Sequence, residues 1–312
     1  MQSFRVRFNR NGYNTGDRMK ILLLMSCCCF KFFSLSAYEH YASACCIFQN
    51  EDRFLKEWID YHRLIGIEHF YMYDNLSDDN SHKILEPYIQ EGIVEYTYWE
   101  GTYTTDKEWW HVQRDAYADA VKRAKGQSKW LAIIDTDEFI VPIEDHDLRS
   151  FLDDFDDFGG VCISWVFYGS SGIKKIPENT WMVEQLLSRA DLSFSLHKLV
   201  KSIVRPERVD EEKSFFPHTC AYIGDYYHVN AEKKKLKKSV VRDSCNTRIR
   251  LHHYWARDLD FLYQQKLPRY ARWIGEEKAL QKIKIEEQMN EQYDPIILDV
   301  ISRNRAKTGP FS

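Results

Sequence analysis

A chain of 312 residues, 44% of them hydrophobic, can bury one large core or two modest ones, which excludes a tethered peptide or a disordered scaffold. The formal net charge of -4 gives no general attraction to nucleic acid, so any recognition of phosphate must be local. The eight cysteines show no paired Cys-x-x-Cys spacing, which favours buried thiols over a disulfide framework and points to a reducing compartment.

The first 40 residues contain a basic stretch followed by an apolar one. Arg5 and Lys20 bound the basic stretch, and Ile21–Phe30 is apolar. This polarity is typical of a signal or signal-anchor segment, although the apolar stretch is shorter than the ~20 residues that a spanning helix needs. A membrane anchor across residues 19–35 and a cleaved or disordered leader are both open, as are a cytoplasmic and a membrane-associated location.

From Tyr41 onward, predicted strands and helices alternate. In order they are a strand at 42–48, a helix over 54–65, a strand at 67–73, a helix over 79–90, a strand at 93–99, a helix over 110–125 and a strand at 129–134. Gly66, Gly92 and Gly126 follow the three helices and end them. The alternation predicts an α/β fold with a mostly parallel central sheet flanked by helices.

Beyond Val141 the pattern is less regular. The predicted elements are a helix near 147–156, a strand at 161–167, a glycine-rich turn at 168–172, helices over 257–266 and 276–292, and a frayed tail from 307. This half has no periodicity strong enough to predict a sheet order.

Two acidic residues directly follow the fourth predicted strand. Asp135 and Asp137 lie between the apolar stretches Trp130–Ile134 and Phe139–Val141. Carboxylates at this spacing can share one divalent cation, and oxygen ligands favour Mg²⁺ or Mn²⁺ over Zn²⁺. A solvated acidic turn is the alternative, but partly buried carboxylates without a counter-ion are costly. Because ligands bind beyond the carboxyl ends of the strands in open α/β sheets, Asp74 should line the same crevice.

These and other short motifs resemble, in the same order, those of glycosyltransferase family 92 and its family 2-like bacterial relatives. They are Gln49-Asn50-Glu51, Trp58-Ile59-Asp60-Tyr61-His62, Gly66, Tyr73-Asp74-Asn75, Ser77, Asp135-Thr136-Asp137-Glu138-Phe139, Trp165, Phe167-Tyr168-Gly169-Ser170-Ser171-Gly172, Glu184, Lys201-Ser202-Ile203-Val204-Arg205-Pro206 and His253-Tyr254. The resemblance implies the Rossmann-like A-type glycosyltransferase fold, a metal-bound nucleotide sugar and inversion at the anomeric carbon, usually with galactose as the transferred sugar.

The resemblance therefore predicts a hexosyltransferase that uses a nucleoside diphosphate sugar, a UDP-sugar above all, and a glycan or another hydroxyl acceptor. The predicted organisation is a leader or anchor over 1–40, one glycosyltransferase domain over 41–270, and a C-terminal helix and tail over 271–312. Within that domain, residues 41–141 form the nucleotide-sugar-binding half and residues 142–270 the acceptor-side half.

Candidate site residues divide into three groups. The residues predicted to bind the nucleotide or its diphosphate are Asn50, Glu51, Asp74, Asn75, Gln113 and Arg114, and those predicted to hold the metal are Asp135, Asp137 and His253. His218 competes with His253 for the third metal position. Inversion needs a base that deprotonates the acceptor, and the resemblance places an acid at Glu184. Ordinary alternatives are an acid favoured at a helix start for Glu51, a helical surface acid for Glu184 and a core histidine for His253.

Two other functions match parts of the pattern. A haloacid dehalogenase-type phosphatase also carries Asp-x-Asp after an apolar strand, but it needs Thr or Val where Phe139 stands, and there the motif opens the fold. A carbohydrate-binding or scaffold protein without turnover is the non-enzymatic alternative, and the presence of both Asp135 and Asp137 argues against it.

Overall fold

The computed structural model describes residues 38–213, 218–236, 239–241 and 247–308. These residues belong to one compact unit, Ala37–Ser312. None of the described helices combines the length and the apolar character that a membrane crossing requires. The predicted anchor segment, 19–35, lies outside the described residues, and the cytoplasmic or membrane-associated location stays a prediction.

Strands and helices follow one another through the whole described chain. The strands are β1 (His40–Phe48), β2 (His69–Asp74), β3 (Val94–Tyr98), β4 (Ser128–Ile133), β5 (Glu138–Pro142), β6 (Gly160–Phe167), β7 (Ser188–Arg189), β8 (Val200–Val204), β9 (His228–Asn230), β10 (Ile249–His253) and β11 (Gln292–Tyr293). The helices are α1 (Leu55–Leu64), α2 (Ser81–Gln90), α3 (Asp106–Ala124), α4 (Leu148–Leu152), α5 (Met182–Gln185), α6 (Leu259–Phe261), α7 (Leu267–Ile274), α8 (Glu276–Ile283) and α9 (Ile296–Thr308). A π-helical turn, Leu262–Lys266, joins α6 to α7.

The order of the main sheet is β3-β2-β1-β4-β8-β6-β10-β5, with β9 paired to β6. The first four strands are parallel, whereas β8 is antiparallel to both β4 and β6, and β10 is antiparallel to β5. The predicted α/β class is confirmed. The parallel strands β1 to β4 are those that the sequence predicted, whereas the half with weak periodicity mixes parallel pairs, β6 with β9 and with β10, and antiparallel ones.

Strand β1 shows why the sheet is covered on both faces. Ala44 and Cys46 belong to one hydrophobic cluster, together with Trp58 of α1, whereas Cys45 and Ile47 belong to another. Side chains alternate between the two faces of a strand, so neighbouring residues enter different layers. The run Ala44–Phe48, which is apolar at consecutive positions, is therefore buried on both faces of the strand, as is typical of parallel sheets.

The carboxyl ends of the parallel strands meet at one edge of the sheet. Phe48 pairs with Asp74 between β1 and β2, and Cys45 pairs with Ile133 between β1 and β4. The residues that follow these strands therefore lie side by side, and the Asp135 turn is among them.

The C-terminal helices differ from their prediction in detail. The helix predicted over 257–266 is the short α6 followed by the π-helical turn, and the one predicted over 276–292 is α8 followed by a 3₁₀ segment, Lys284–Asn290. The predicted frayed tail from 307 is wrong at its start, because α9 continues to Thr308. Buried residues of α9 join the same hydrophobic cluster as α1; they are Ile297, Val300 and Ile301.

Candidate active site

Asp135 lies directly after β4, and its carboxylate accepts hydrogen bonds from three side chains. Gln113 Nε2 and Tyr117 Oη, one turn apart on α3, donate to Oδ1 at 3.0 and 2.6 Å. Lys201 Nζ, from β8, donates to Oδ2 at 2.8 Å. Both oxygens of Asp135 are therefore occupied, and its orientation is determined by α3 and β8 together.

Helix α3 is held in register by its N-terminus. The Thr105 hydroxyl accepts from the backbone N–H of Glu108, and the Glu108 carboxylate accepts from the backbone of Thr105, which forms a capping box. Such a cap stabilises a helix by about 1 kcal/mol. The cap fixes where α3 starts, and the helix then delivers Gln113 and Tyr117 to Asp135.

Lys201 is buried beneath the turn and bridges two acids. Its Nζ also lies 3.4 Å from Glu138 Oε2, and that oxygen accepts the backbone N–H of Asp135 at 2.8 Å. Although burial lowers the pKa of Lys201, the carboxylates of Asp135 and Glu138 raise it above its ordinary value. Burial raises the pKa of Glu138. Lys201 is therefore a permanent cation that neutralises Asp135.

Asp137 has a different environment. Lys266 Nζ lies 2.9 Å from its Oδ2, and His253 Nε2 lies 3.3 Å from its Oδ1. Although burial raises the pKa of Asp137, Lys266 and His253 hold it well below its usual range. Burial lowers the pKa of His253, and Asp137 only partly opposes this, so the imidazole is neutral at pH 7.

The Asp137 and His253 pair fits a divalent cation. Two ligands at about 2.1 Å from one ion commonly stand about 3 Å apart, and Asp137 Oδ1 and His253 Nε2 are 3.3 Å apart. Metal binding also requires a neutral imidazole and an ionised carboxylate, which burial and Lys266 provide. Within the described ranges, no group of three His, Cys, Asp or Glu side chains is arranged for a metal. Asp137 and His253 are the two of the three predicted metal residues whose atoms lie at this spacing, and the metal position predicted for Asp135 stays a prediction.

Glu51 is connected to the turn at Asp135 through the side chain of Arg257. It forms a buried ion pair with Arg257, and Arg257 Nη2 donates to Thr136 Oγ1 at 3.2 Å. The guanidinium packs against two aromatic rings, 4.0 Å from the centroid of Phe54 and 4.6 Å from that of Phe261. Glu51, which the sequence predicted to contact the nucleotide, therefore has its carboxylate paired inside the protein. Through Arg257 it connects the end of β1 to the Asp135 turn.

The side chains of Asn50 and Asp74 also form hydrogen bonds with other residues of the chain. Asn50 Nδ2 donates to Asp78 Oδ1 at 2.7 Å, and the backbone N–H of Asp78 donates back to Asn50 Oδ1 at 2.9 Å. Asp74 accepts from the Ser77 backbone and from Tyr96 Oη, each at 2.9 Å. Both residues shape the loops at the carboxyl edge.

Asn75 and Arg114 lie at different depths. Asn75 is fully buried, and its Nδ2 donates to the carbonyl oxygens of Trp99 and Gly101 at 2.9 and 2.7 Å. Arg114 pairs with the neighbouring Asp115 at 2.7 Å on the exposed side of α3. Asn75 thereby positions the loop after β3, and the acid that Arg114 contacts is Asp115.

The structure places Glu184 outside this cluster. Its carboxylate accepts from Arg305 of α9 at 2.7 Å, and its described contacts do not reach Asp135 or Asp137. His218 is nearer: its ring centroid is 5.3 Å from that of Trp165, which is 4.6 Å from that of His253. The prediction that Glu184 is the base is not tested by this placement and stays a prediction.

A cavity of about 470 Å³ opens where the loops after β1, β2 and β3 meet α7. Its lining residues are Gln49, Asn75, Leu76, Gly101, Thr102, Tyr103, Thr104, Arg269, Arg272 and Trp273. Two of these are arginines and none is an acid. The structure gives neither Arg269 nor Arg272 a hydrogen bond or an ion pair with another described residue. The cavity is therefore positively charged and carries the aromatic rings of Tyr103 and Trp273.

A larger cavity of about 770 Å³ lies at the same edge but has the opposite charge. Its acidic lining residues are Asp52, Glu57, Asp78, Asp79, Glu178 and Asp260, against the cations Arg53 and Lys175. Like charges repel in a cleft, so this lining disfavours a diphosphate despite its greater volume. The smaller cavity is the better match for an anionic ligand.

A family model for glycosyltransferase family 92 matches residues 39–276. The chain belongs to glycosyltransferase family 92. The prediction from the motifs is confirmed, and membership of family 92 agrees with the α/β architecture and the acidic turn at the carboxyl edge.

Curated relatives include family 92 proteins from plants. One from Ricinus communis is 28% identical over 199 residues, which is 62% of this chain and 34% of that protein. One from Oryza sativa subsp. japonica is 27% identical and covers 55% of this chain and 28% of its own length. The chain thus spans about a third of the length of these relatives. Beta-1,4-galactosyltransferase galt-1 from Caenorhabditis elegans is 24% identical over 86% of this chain and 57% of its own.

Solved structures show weaker likeness to this family 92 chain. TarS 1-349 of S. aureus has a TM-score of 0.37 at 12% identity and covers 87% of this chain and 72% of its own. Glucosyl-3-phosphoglycerate synthase from Mycobacterium tuberculosis, solved with Mn2+, UDP and glucosyl-3-phosphoglycerate, has a TM-score of 0.25 at 14% identity, covering 42% and 45%. TM-scores this low carry no functional argument.

Several residues of this family 92 site were not predicted from the sequence. They are Lys201, Tyr117, Arg257, Lys266, Arg269, Arg272 and Trp273. Arg272 and Trp273 lie beyond residue 270, where the predicted catalytic domain ends. The available signal was the clustering of Lys266, Arg269 and Arg272 at helical spacing, which places three cations along one segment.

Proposed function

We propose that this family 92 protein transfers a hexose, galactose above all, from a nucleoside diphosphate sugar to a hydroxyl group of a glycan or another acceptor. One observation carries the proposal. The Asp137–His253 pair and the arginine-lined cavity lie at the same carboxyl edge, and Lys266 and Arg269, three residues apart, link them. The relative from Caenorhabditis elegans supports galactose, since it is a galactosyltransferase.

The cavity has the properties that a nucleoside diphosphate requires. Guanidinium groups bind phosphate oxygens through two parallel hydrogen bonds, and Arg269 and Arg272 are available for such contacts. The rings of Tyr103 and Trp273, with centroids 5.9 Å apart, offer flat faces to a base. The volume lies in the range of small-molecule sites. We therefore place the donor nucleotide in this cavity, with a UDP-sugar as the preferred donor.

In the proposed transfer, the acceptor hydroxyl oxygen bonds to the anomeric carbon from the side opposite the diphosphate. The bond from that carbon to the diphosphate oxygen breaks, and its electron pair stays on the diphosphate. The hydroxyl proton passes to a base, for which Glu184 is proposed. Arg269 and Arg272 hold the diphosphate, and Asp137 and His253 would hold Mn²⁺ or Mg²⁺. Such an ion, when bound, acts as a Lewis acid that offsets the leaving group's charge.

The acidic turn supplies the test. We expect Asp135→Asn and Asp137→Asn each to lower transfer at least about 100-fold, the scale of losing a main electrostatic stabiliser. Asp137→Asn removes a metal ligand, and Asp135→Asn leaves the buried Lys201 without its counter-charge. The assay measures transfer from UDP-galactose with Mn²⁺, with Asp157→Asn on an exposed turn as the matched control.

Removal of metal ions with a chelator tests whether the proposed transfer needs a metal. Excess EDTA should silence transfer, and Mn²⁺ or Mg²⁺ should restore it. Near-normal activity in both Asp variants would contradict the assignment of the site. Activity that is indifferent to EDTA would remove the metal but leave the transferase, and binding of UDP-galactose without any turnover would favour a carbohydrate-binding protein instead.

A further inference from the structure

Lys266 occupies an unusual position between the acidic turn and the cavity. It is the last residue of the π-helical turn Leu262–Lys266, and its side chain is 9% exposed. Its Nζ lies 2.9 Å from Asp137 Oδ2 and 5.0 Å from the centroid of the Trp255 ring. Single π-helical turns inside helices are rare and frequently occur at functional sites. The turn places this ammonium group directly on the candidate metal ligand.

The charges around Asp137 change when ligands arrive. Without ligands, Lys266 neutralises the carboxylate, because a buried carboxylate needs a partner. A divalent cation on Asp137 would repel the ammonium group, since like charges a few ångströms apart in a partly buried site interact strongly. A bound diphosphate would attract it, and Arg269 stands one helical turn further along the same segment, at the cavity wall.

Lys201 offers an instructive contrast. It contacts Asp135 at 2.8 Å and also Glu138 at 3.4 Å, and it belongs to the middle of the sheet. Two acids and a strand hold it in place, whereas Lys266 has one acid partner and a long side chain at a helix junction. Of these two buried lysines, Lys266 is the one able to change partners.

We propose that Lys266 is an exchangeable cation, which binds Asp137 in the nucleotide-free protein and moves to the diphosphate when a divalent cation and the donor bind. This inference rests on the proposed function. It assigns Lys266 a second contact, to the diphosphate, and makes it a competitor of the metal for Asp137.

Two binding measurements on the full chain test the exchange. The nucleotide-free protein is titrated calorimetrically with MnCl₂ alone, and then with UDP at saturating Mn²⁺. For Lys266→Met we expect Mn²⁺ to bind at least about threefold tighter, because a competitor is gone. UDP should bind at least about tenfold weaker, because a charge-assisted contact is lost. Opposite shifts are the signature of exchange.

Control variants keep the test falsifiable. Lys266→Arg retains the charge and should keep UDP affinity within about threefold of wild type. Lys278→Met, on the exposed face of α8, should change neither affinity. If Lys266→Met lowers both affinities, Lys266 is structural, and if UDP binding is unchanged, Lys266 is only a counter-ion; either result overturns the exchange. If the wild-type protein itself binds no UDP with Mn²⁺, the proposed donor site fails together with this inference.

Discussion

Asp135 and Asp137 show how two acids of one short motif acquire different properties. Three donors from α3 and β8 occupy both oxygens of Asp135, while Asp137 faces the imidazole of His253 and the ammonium group of Lys266. Hard divalent cations bind carboxylate oxygens, and the imidazole beside Asp137 is a second group that can coordinate them. At the residue scale, the surroundings of Asp137 suit a metal, whereas the metal position predicted for Asp135 stays a prediction, because its two oxygens accept hydrogen bonds from protein groups.

Glu184 carries the prediction about the base. Glu184→Gln keeps the shape of the side chain but removes proton acceptance, so transfer should fall about 100- to 10,000-fold. Calorimetric titration with UDP-galactose should stay near wild type, because a base acts on the acceptor. To serve in this way, Glu184 must leave its ion pair with Arg305 when the acceptor binds. The exposed Glu178→Gln is the matched control.

The alternative outcome is equally informative. If Glu184→Gln retains transfer above about a tenth of normal, Glu184 is a surface acid. The base that deprotonates the acceptor is then another group. His218 would be tested next, since its Nδ1 lies 2.9 Å from the Val200 carbonyl oxygen, and donation there leaves Nε2 to accept a proton. Burial lowers the pKa of His218 to about 4, so its ring is neutral at pH 7.

At the scale of an element, α7 forms one wall of the cavity in which we propose that the donor binds. None of its residues is fully buried, yet it contacts the loop after β3 through Trp273 and Tyr103, and the segment after β10 through Tyr270 and Trp255. A helix without a fully buried residue contributes little to the hydrophobic core. Its contribution to this molecule is the set of side chains that line the cavity, which are Arg269, Arg272 and Trp273.

Arg269 and Arg272 provide the prediction for this helix. We expect Arg269→Met and Arg272→Met each to weaken UDP binding about tenfold or more, as the loss of a hydrogen bond to a charged group does. Uridine, which lacks phosphates, should bind within about threefold of wild type. Arg63→Met on α1 serves as the control. Equal losses for uridine and UDP would show that the arginines maintain the packing of α7 and do not contact the diphosphate.

For the whole molecule, buried histidines predict a strong dependence of stability on pH. Burial lowers the pKa of His62 to about 3 and those of His197, His218 and His228 to about 4. Between pH 4 and the ordinary value near 6.5, these groups bind protons only in the unfolded chain, so stability falls as pH is lowered through this window. The buried Glu57, whose pKa burial raises to about 7, acts in the opposite direction.

Four histidines outweigh the acids that act against them, since only three carboxylic acids among the described residues, Glu51, Glu57 and Glu138, have a pKa that burial raises above its ordinary value. We therefore expect the free energy of unfolding in urea to fall by an amount on the order of 3 kcal/mol between pH 7 and pH 4.5. Neither ring nitrogen of His228 has a hydrogen-bond partner among the described residues. We therefore expect His228→Phe to make the free energy of unfolding depend less steeply on pH. A free energy of unfolding that is constant or rises over this range would contradict the assignment of these histidines as neutral.

What the sequence determined by itself is the first half of the sheet and the acidic turn. Apolar runs and amphipathic helices separated by Gly66, Gly92 and Gly126 are local patterns, and the structure has β1 to β4 and α1 to α3 at those places. The position of Asp135 at a strand's carboxyl end follows from the same local pattern, because the topology of parallel strands brings such ends together.

Only the tertiary structure decided which groups surround those acids. Lys201 and Lys266 are 66 and 129 residues distant from Asp135 and Asp137, and Arg257 is 206 residues from Glu51. Periodicity reports the neighbours along one helix or strand, whereas a buried charge pairs with whichever cation the fold places beside it. The burial that shifts each pKa, and the cavity beneath α7, exist only once distant segments have packed together.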